Sequence, residues 1–462
     1  MSTRRCFSLL VFPVILGVTM AGNGFGTTLG EVSCEFHTTI DGAVTEFVSG
    51  QEIALGPRPD VVPLPDEKKP GRFNDNPDPR QANDFLRAAS GLGFMDGPSD
   101  ENVKVVVAQD SRRYLGFGEF DVSYGKALKK PGALQDDPAQ ISVLATDSLD
   151  DIRRYEDDTR DYKSYRKKFK EDYEGLVTLP SGKMLVVSSG SDMDDYMKGE
   201  ESFRSVMVIY DQISERVERF QVPEFYLKLT TDSRIVGRPT LVGKPVINVE
   251  GVAVRFDGHQ GFTIGFFHRA NYGKTGHNSM VEFKLHEFLA TLYASKTSPD
   301  AWRSLKATRI VRLKLPWIKP AGSAGNELFP VNLNDALYGN YDGKPTVIMP
   351  VGTEADYTDD QGQHHDGEVI FAGLAVWQGV GDSRGSRCMV FKAPGDLAPG
   401  HLSVYGKVEG LAAYNPQGRT PYERSLYRSK ALVAGVTDVD SEVEPSVMRV
   451  LKLPSVLDYA VY

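Results

Sequence analysis

The chain has 462 residues, 40% hydrophobic and 25% charged, which is ordinary for a soluble globular protein with a sizeable core. Its formal net charge of −9 argues against binding a nucleic-acid backbone, which needs a basic stripe, and is compatible with metal binding.

At the start, Arg4 and Arg5 precede an apolar run over 6–20, and the small residues Ala21 and Gly22 follow. This layout predicts a cleaved secretory signal over 1–21 and a secreted or periplasmic mature chain, 22–462. The apolar run is interrupted by Pro13 and falls short of the roughly 20 residues needed to span a bilayer. No later segment is apolar for long enough, so no membrane span is expected in the mature chain. Cleavage removes Cys6 and leaves Cys34 and Cys388, which read equally as one disulfide or as two buried thiols.

Further along, SCEFHTTI (33–40) reads as an early strand. Residues 57–82 are rich in proline and charge and read as an exposed excursion. From Ser90 onward one unit recurs five times. An opening triplet starts a short apolar strand, a turn follows, then a strand ending near Asp or Asn, then another apolar strand. The copies open at Ser90 (SGLGFMDG), Glu174 (EGLVTLPSG), Glu250 (EGVAVRFDG), Asp335 (DALYGNYDG) and Glu409 (EGLAAYNPQG), at spacings of 74 to 85 residues. Between the first two, 148–171 carries mixed charges with tyrosines and reads as a solvated insertion. EFYLKLTTDSRI and EFLATLYASK read as short helices between units.

Such a unit cannot bury both faces of its sheet alone, so neighbours must stack, and radial stacking leaves few exposed edges. The expected fold is all-β: a single β-propeller over 22–462, with five blades and six as the alternative count. The last copy is short, and the strand at 33–40 is expected to complete it and close the ring.

If each triplet begins an innermost strand, Ser90, Glu174, Glu250, Asp335 and Glu409 stand at equivalent positions around one axis, with Asn334 as the alternative to Asp335. The glycine after each glutamate permits close backbone approach there. Two charges about 5 Å apart repel by roughly 3 kcal/mol at an effective dielectric of about 20. Such a ring needs protons or a cation. Hard oxygen donors suit calcium, so these five are the candidate metal ligands; the alternative is that they satisfy backbone groups at the strand starts. Asp110, Asp192, Asn271, Asp356 and Asp440, which end the second strands, read as turn formers.

The EGL/EGV openings, FHRAN and EADYTDDQGQHHDGEV resemble a group of uncharacterised secreted bacterial propellers related to the domain named for the esterase-like activity of phytase. The order Ser, Glu, Glu, polar, Glu also resembles the calcium-activated nucleotidases, or apyrases, five-bladed propellers with calcium in the channel. That resemblance implies Ser90, Glu174, Glu250 and Glu409 as ligands, while Asp335 departs from the serine expected at its place.

Other signals carry less. GDSRG at 381–385 spells a nucleophile elbow, but RCMVFK after it reads as a strand where that motif needs a helix. His364 and His365 fall in a polar loop. His268, Arg269 and Asn271 fall near the expected channel mouth, where arginine can clamp a phosphate or carboxylate; they are the candidate substrate-binding residues. No catalytic residue stands out. Three readings follow: a calcium-dependent hydrolase of phosphoesters or carboxylic esters, a calcium-stabilised binding propeller, or a propeller without metal.

Overall fold

The computed structural model describes residues 28–36, 48–54, 89–95, 102–109, 114–121, 141–145, 170–238, 246–258, 261–270, 277–320, 322–341, 343–381, 386–392, 408–428, 431–437 and 447–452. Two strands precede the repeats, β1 (Thr28–Phe36) and β2 (Val48–Ala54). The first unit is β3 (Ala89–Met95), β4 (Asn102–Gln109), β5 (Tyr114–Asp121) and β6 (Ile141–Ala145). The second is β7 (Tyr173–Thr178), β8 (Met184–Ser188), β9 (Val206–Asp211) and β10 (Arg216–Gln221). The third is β11 (Val249–Asp257), β12 (Gly261–His268), β13 (Asn278–Lys284) and β14 (Arg309–Lys314).

Three two-residue strands follow, β15 (Trp317–Ile318), β16 (Phe329–Pro330) and β17 (Asn332–Leu333). The fourth unit is β18 (Leu337–Tyr341), the long hairpin β19 (Lys344–Thr358) and β20 (His364–Gln378), and β21 (Arg387–Lys392). The fifth is β22 (Val408–Tyr414), β23 (Leu432–Thr437) and β24 (Val447–Lys452), completed by β2. Within each unit, sequential strands pair antiparallel.

The first strands are apolar on both faces because each lies between two other sheets. Every residue of β3 and β22 is buried. Separate apolar cores fill the wedges between neighbouring sheets. Leu176 and Val208 pack with Val106 and Leu115 between units one and two. Val187 and Ile209 pack with Val252 and Phe266 between two and three. Phe267 and Val311 meet Met349 and Trp377 between three and four. Leu374 and Phe391 meet Leu411 and Val433 between four and five. Val105 and Val107 meet Ala434 and Val436, which brings the fifth unit back to the first. The fold is therefore a β-propeller.

A short helix not read from the sequence, α1 (Met193–Met197), lies between β8 and β9. The two helical segments read from sequence are present: α2 (Pro223–Thr231) with α3 (Ser233–Val236) between units two and three, and α4 (Leu285–Ser295) between β13 and β14 inside unit three. Between β22 and β23 lies α5 (Pro421–Arg424), also not read from the sequence. Phe225 of α2 and Phe288 of α4 seat on Phe266 and Phe283, with Trp302 closing the aromatic cluster.

Ring closure differs from the expectation. Residues 33–36 of the expected closing segment belong to β1, which pairs parallel with β14 on one side and β21 on the other, joining the outer edges of units three and four. The closing strand is β2, antiparallel to β24. The physical reason is that β14 and β21 each present an outer edge, and a strand inserted between them satisfies both. Cys34 sits opposite Cys388 in that register, and the two form a disulfide with Cα atoms 4.4 Å apart. Of the insertions read from sequence, 57–82 and nearly all of 148–171 lie outside the described residues. So does the segment expected to be a signal, 1–21. Among the described residues, no helix is long and apolar enough to cross a membrane.

Candidate functional site

Four of the five opening triplets fall at the start of the innermost strands and are distorted in the same way. Register slips between Ala89 and Gly91, between Tyr173 and Gly175, between Val249 and Gly251, and between Val408 and Gly410. The residue skipped in each case is Ser90, Glu174, Glu250 or Glu409. A bulge leaves its extra residue out of the ladder and re-aims its side chain. The fourth unit reaches the same level by another route. Asn334 donates its backbone N–H to Pro350 and its amide to the Val408 carbonyl, so Asp335 precedes β18 without a bulge.

Backbone crowding explains the glycines. A Cβ at Gly251 would lie 2.6 Å from the Ala336 nitrogen and 2.7 Å from Asp335 Oδ1. One at Gly410 would lie 2.8 Å from the Ser90 carbonyl oxygen, and one at Gly175 would lie 2.9 Å from the Val252 nitrogen. Consecutive units therefore touch backbone to backbone at their triplets, in the order required for a ring.

Ser90, Glu250, Asp335 and Glu409 are buried, and Glu174 is half-buried. Ser90 donates its hydroxyl to the Tyr173 carbonyl, which ties unit one to unit two. Glu250 accepts from the Asn248 amide and faces the Arg269 guanidinium at 3.4 Å. Asp335 Oδ2 accepts from the backbone N–H of Leu411 at 2.6 Å, while Oδ1 has no hydrogen-bond partner. Burial pushes the Asp335 carboxyl well above the usual range against two backbone N–H groups that favour its charge, and the charges of Glu250 and Glu409 push it further. Among the described residues, no three His, Cys, Asp or Glu side chains converge as a preformed metal cage.

Immediately inside this polar tier the axis becomes apolar. Leu92, Leu176, Val252, Ala336 and Leu411, one or two residues past each ring position, line a small cavity of about 30 Å³.

The candidate substrate-binding residues separate. Arg269 stands beside Glu250. His268 is 1% exposed, so it lies inside the fold and not on a mouth. Its Nδ1 contacts the backbone of Asn248, while Nε2 has no partner. Burial, helped by nearby His277, holds its pKa down to about 4, so the imidazole is neutral at pH 7. Asn271 lies outside the described residues.

A second network lies next to Glu174 and was not read from the sequence. Asp172 is buried with φ of 56° and is engaged by Lys170, by Ser189, by Ser191 at 3.0 Å and by Arg204 at 3.6 Å. Burial alone would raise its pKa, but Lys170 and Arg204 with these hydrogen bonds bring it down to about 2. The Ser189 carbonyl accepts from the Val249 N–H at 2.8 Å, coupling this network to the third triplet. The only signal in the sequence was an Asp two residues before Glu174.

The other candidates are structural. Asp192 accepts from the N–H groups of Phe203 and Arg204, 11 and 12 residues on, so it ties α1 to the start of β9 and is not a local turn former. His365 stacks on Tyr357 and contacts Asp359 at 3.3 Å, bracing the β19–β20 hairpin. Of GDSRG, 382–385 lie outside the described residues, and the next described element is strand β21 from Arg387, where the elbow motif needs a helix.

Residues 133–333 are similar to a family of unknown function, DUF6929. No curated protein matches the chain. A putative glycoside hydrolase from Bacteroides ovatus is similar in structure, with 10% identity over 81% of this chain and 89% of its own, and a TM-score of 0.32. So is hydrazine synthase from Kuenenia stuttgartiensis, with 12% identity, 84% and 85% coverage, and a TM-score of 0.30. Extracellular domains 1–2 of Drosophila semaphorin 1b give 9% identity, 79% and 87% coverage, and a TM-score of 0.31. None of these matches is a phytase or an apyrase.

Proposed function

We propose that this chain is a five-bladed, exported propeller that holds a cation, calcium by donor chemistry, at the ring of opening residues. The observation that carries the reading is the repeated bulge. Four units break their ladder at one position to present Ser90, Glu174, Glu250 and Glu409, and Asp335 stands at the same level with a buried, unpartnered oxygen. Backbone satisfaction alone does not call for the same oxygen-bearing bulge in four places.

The donor types suit a hard ion, which would have to draw together side chains that do not converge on their own. Glu250, Asp335, Glu409 and Glu174 would hold it with carboxylate oxygens, and the Ser90 hydroxyl keeps lone pairs while donating to Tyr173. Their charges, which disfavour one another at Asp335, would be offset by the ion. When bound, such an ion polarises a scissile ester or phosphoester group or activates water. Arg269, which pairs with Glu250, would orient an anionic group there. The second reading is a binding propeller in which the ion only stabilises the ring. Export is supported by the Cys34–Cys388 disulfide, since such bonds persist in oxidising compartments.

The test compares unfolding with calcium and with a chelator, then turnover on a panel of phosphoesters and carboxylic esters. A ligand at a hundredfold excess over Kd stabilises by about 2.7 kcal/mol, and Glu250→Gln and Glu409→Gln should each remove much of that. A shift without turnover selects the binding reading. No shift in the parent chain rejects the ion.

A further inference from the structure

We infer that residues 415–428 form a stopper across the far end of the axis, so that the well is blind and ligands meet the ring only from the face where the inner strands start. The inference rests on the carboxylate-ring reading only for what lies at the open end.

The inner strands start together at the ring and end together on the other side. Val254 is four residues past Glu250, which in extended chain is on the order of 13 Å away. At that far level the well is lined by Thr178, Val254, Tyr338 and Ala413, and also by Tyr422, Ser425 and Leu426. The last three do not belong to any inner strand. They lie on the connection between β22 and β23, which includes α5.

That connection reaches three other units. Pro421 packs 3.4 Å from where a Cβ on Gly182 of unit two would lie. Tyr422 donates its hydroxyl to the Val254 carbonyl of unit three at 3.1 Å, and its ring meets Phe262 edge-on at 5.1 Å. Tyr427 pairs with Gly339 of unit four, where its carbonyl accepts from the Asn340 N–H at 2.8 Å. Gly339 has no room for a Cβ, which would lie 2.4 Å from the Tyr427 Cβ. The segment is also built to hold its own shape. Thr420 caps α5 through the Glu423 N–H, and the Arg424 carbonyl accepts from the Asn415 N–H at 2.6 Å.

A connection that only joined two strands of one sheet would not need partners in three others. Its buried tyrosine, Tyr422, sits against the axis with its polar atom satisfied by a neighbouring unit, so the seal is both apolar and hydrogen-bonded. The consequence is functional. A blind well excludes transit along the axis and assigns ligand recognition to the loops around Lys170, Arg204, Asn248 and Arg269.

The experiment uses the full chain carrying Cys6→Ser and Thr178→Cys, which places one free thiol at the far end of the well. Labelling with an anionic methanethiosulfonate probes that end, because the ring carboxylates repel the reagent from the other. The expected result is slow labelling that accelerates by about tenfold or more on Tyr422→Gly. If Tyr422→Gly does not fold, Leu426→Ala thins the same stopper with its hydrogen bond intact and makes the same comparison. Labelling as fast as an exposed thiol without either substitution, or no acceleration with one, overturns the stopper. The labelling is run in chelator, so that no cation offsets the ring carboxylates and neither result depends on whether the ring binds one, which calcium titration reads separately.

Discussion

Asp335 reaches across a unit boundary to accept the backbone N–H of Leu411 at 2.6 Å, leaving its other carboxylate oxygen buried and without a donor. One oxygen thus holds the fourth unit to the fifth, and the other lies beside Gly251 of the third. Burial, then the charges of Glu250 and Glu409, raise its pKa, so the folded chain binds a proton there more tightly than the unfolded chain does. The contribution of that proton is fully present below the unfolded pKa and is lost as pH rises through the folded value. Denaturation in chelator from pH 4 upward should therefore show a falling component at Asp335. Asp335→Asn, which keeps an oxygen for Leu411, should flatten it. An unchanged slope in the variant would remove Asp335 as its source.

The glycines of the triplets are required by contact with the next unit. Gly251→Ala places a methyl against the Ala336 nitrogen and Asp335 Oδ1, and overpacking of that kind costs about 1–3 kcal/mol. Gly258→Ala, with nothing within 4 Å, is the control and should be near neutral. Chemical denaturation of the two variants makes the comparison. Equal stability would mean that the units separate easily at the axis.

Much of this ring was legible in the sequence, because the requirement at each triplet is local: an oxygen-bearing residue, then a glycine, then an apolar strand. The bulge that gives the triplet its meaning was not legible, since it depends on pairing with Ala108, Val187, Phe267 and Val436 on the second strands. His268 misled for a related reason. A histidine next to an arginine near a strand end reads as surface chemistry, yet strand alternation turns His268 toward the interior and leaves Arg269 beside Glu250. The destinations of β1 and β2 were also hidden. Their partners are more than 270 residues away, so nothing in their own residues states which edge each will occupy.

Asp172 offers a separate test beside the ring. Its depressed pKa means stability that is present above the ordinary carboxylate pKa and lost as pH falls toward about 2. Asp172→Asn keeps a residue that tolerates positive φ but leaves Lys170 and Arg204 without their carboxylate. Breaking a buried pair costs about 3–5 kcal/mol, and partial exposure of both cations places this one at or below the low end. Asp172→Ala should cost about 1 kcal/mol more, because alanine resists the left-handed conformation. Urea denaturation at pH 7 reads both, and equal losses would show that the conformation contributes nothing.

The N-terminal strands act on different parts of the ring, and truncation separates them. β1 with its disulfide joins units three and four at their outer edges, where the Cys34–Cys388 bond and parallel pairing add to a core that already exists. Cys34→Ser with Cys388→Ser should therefore leave a folded chain, weakened by the 2–5 kcal/mol typical of a lost native disulfide. β2 is different, because it supplies the fourth strand of the last unit and so holds the N-terminal segment to the C-terminal one. Removing residues through Phe36 should give a less stable but cooperative propeller. Removing residues through Ala54 should expose the edge of β24 and give a chain that aggregates or unfolds without a sharp transition. Circular dichroism and thermal scans of both truncations decide it. If loss of β1 is the more damaging, ring integrity rests on the strap between units three and four and not on the closure by β2.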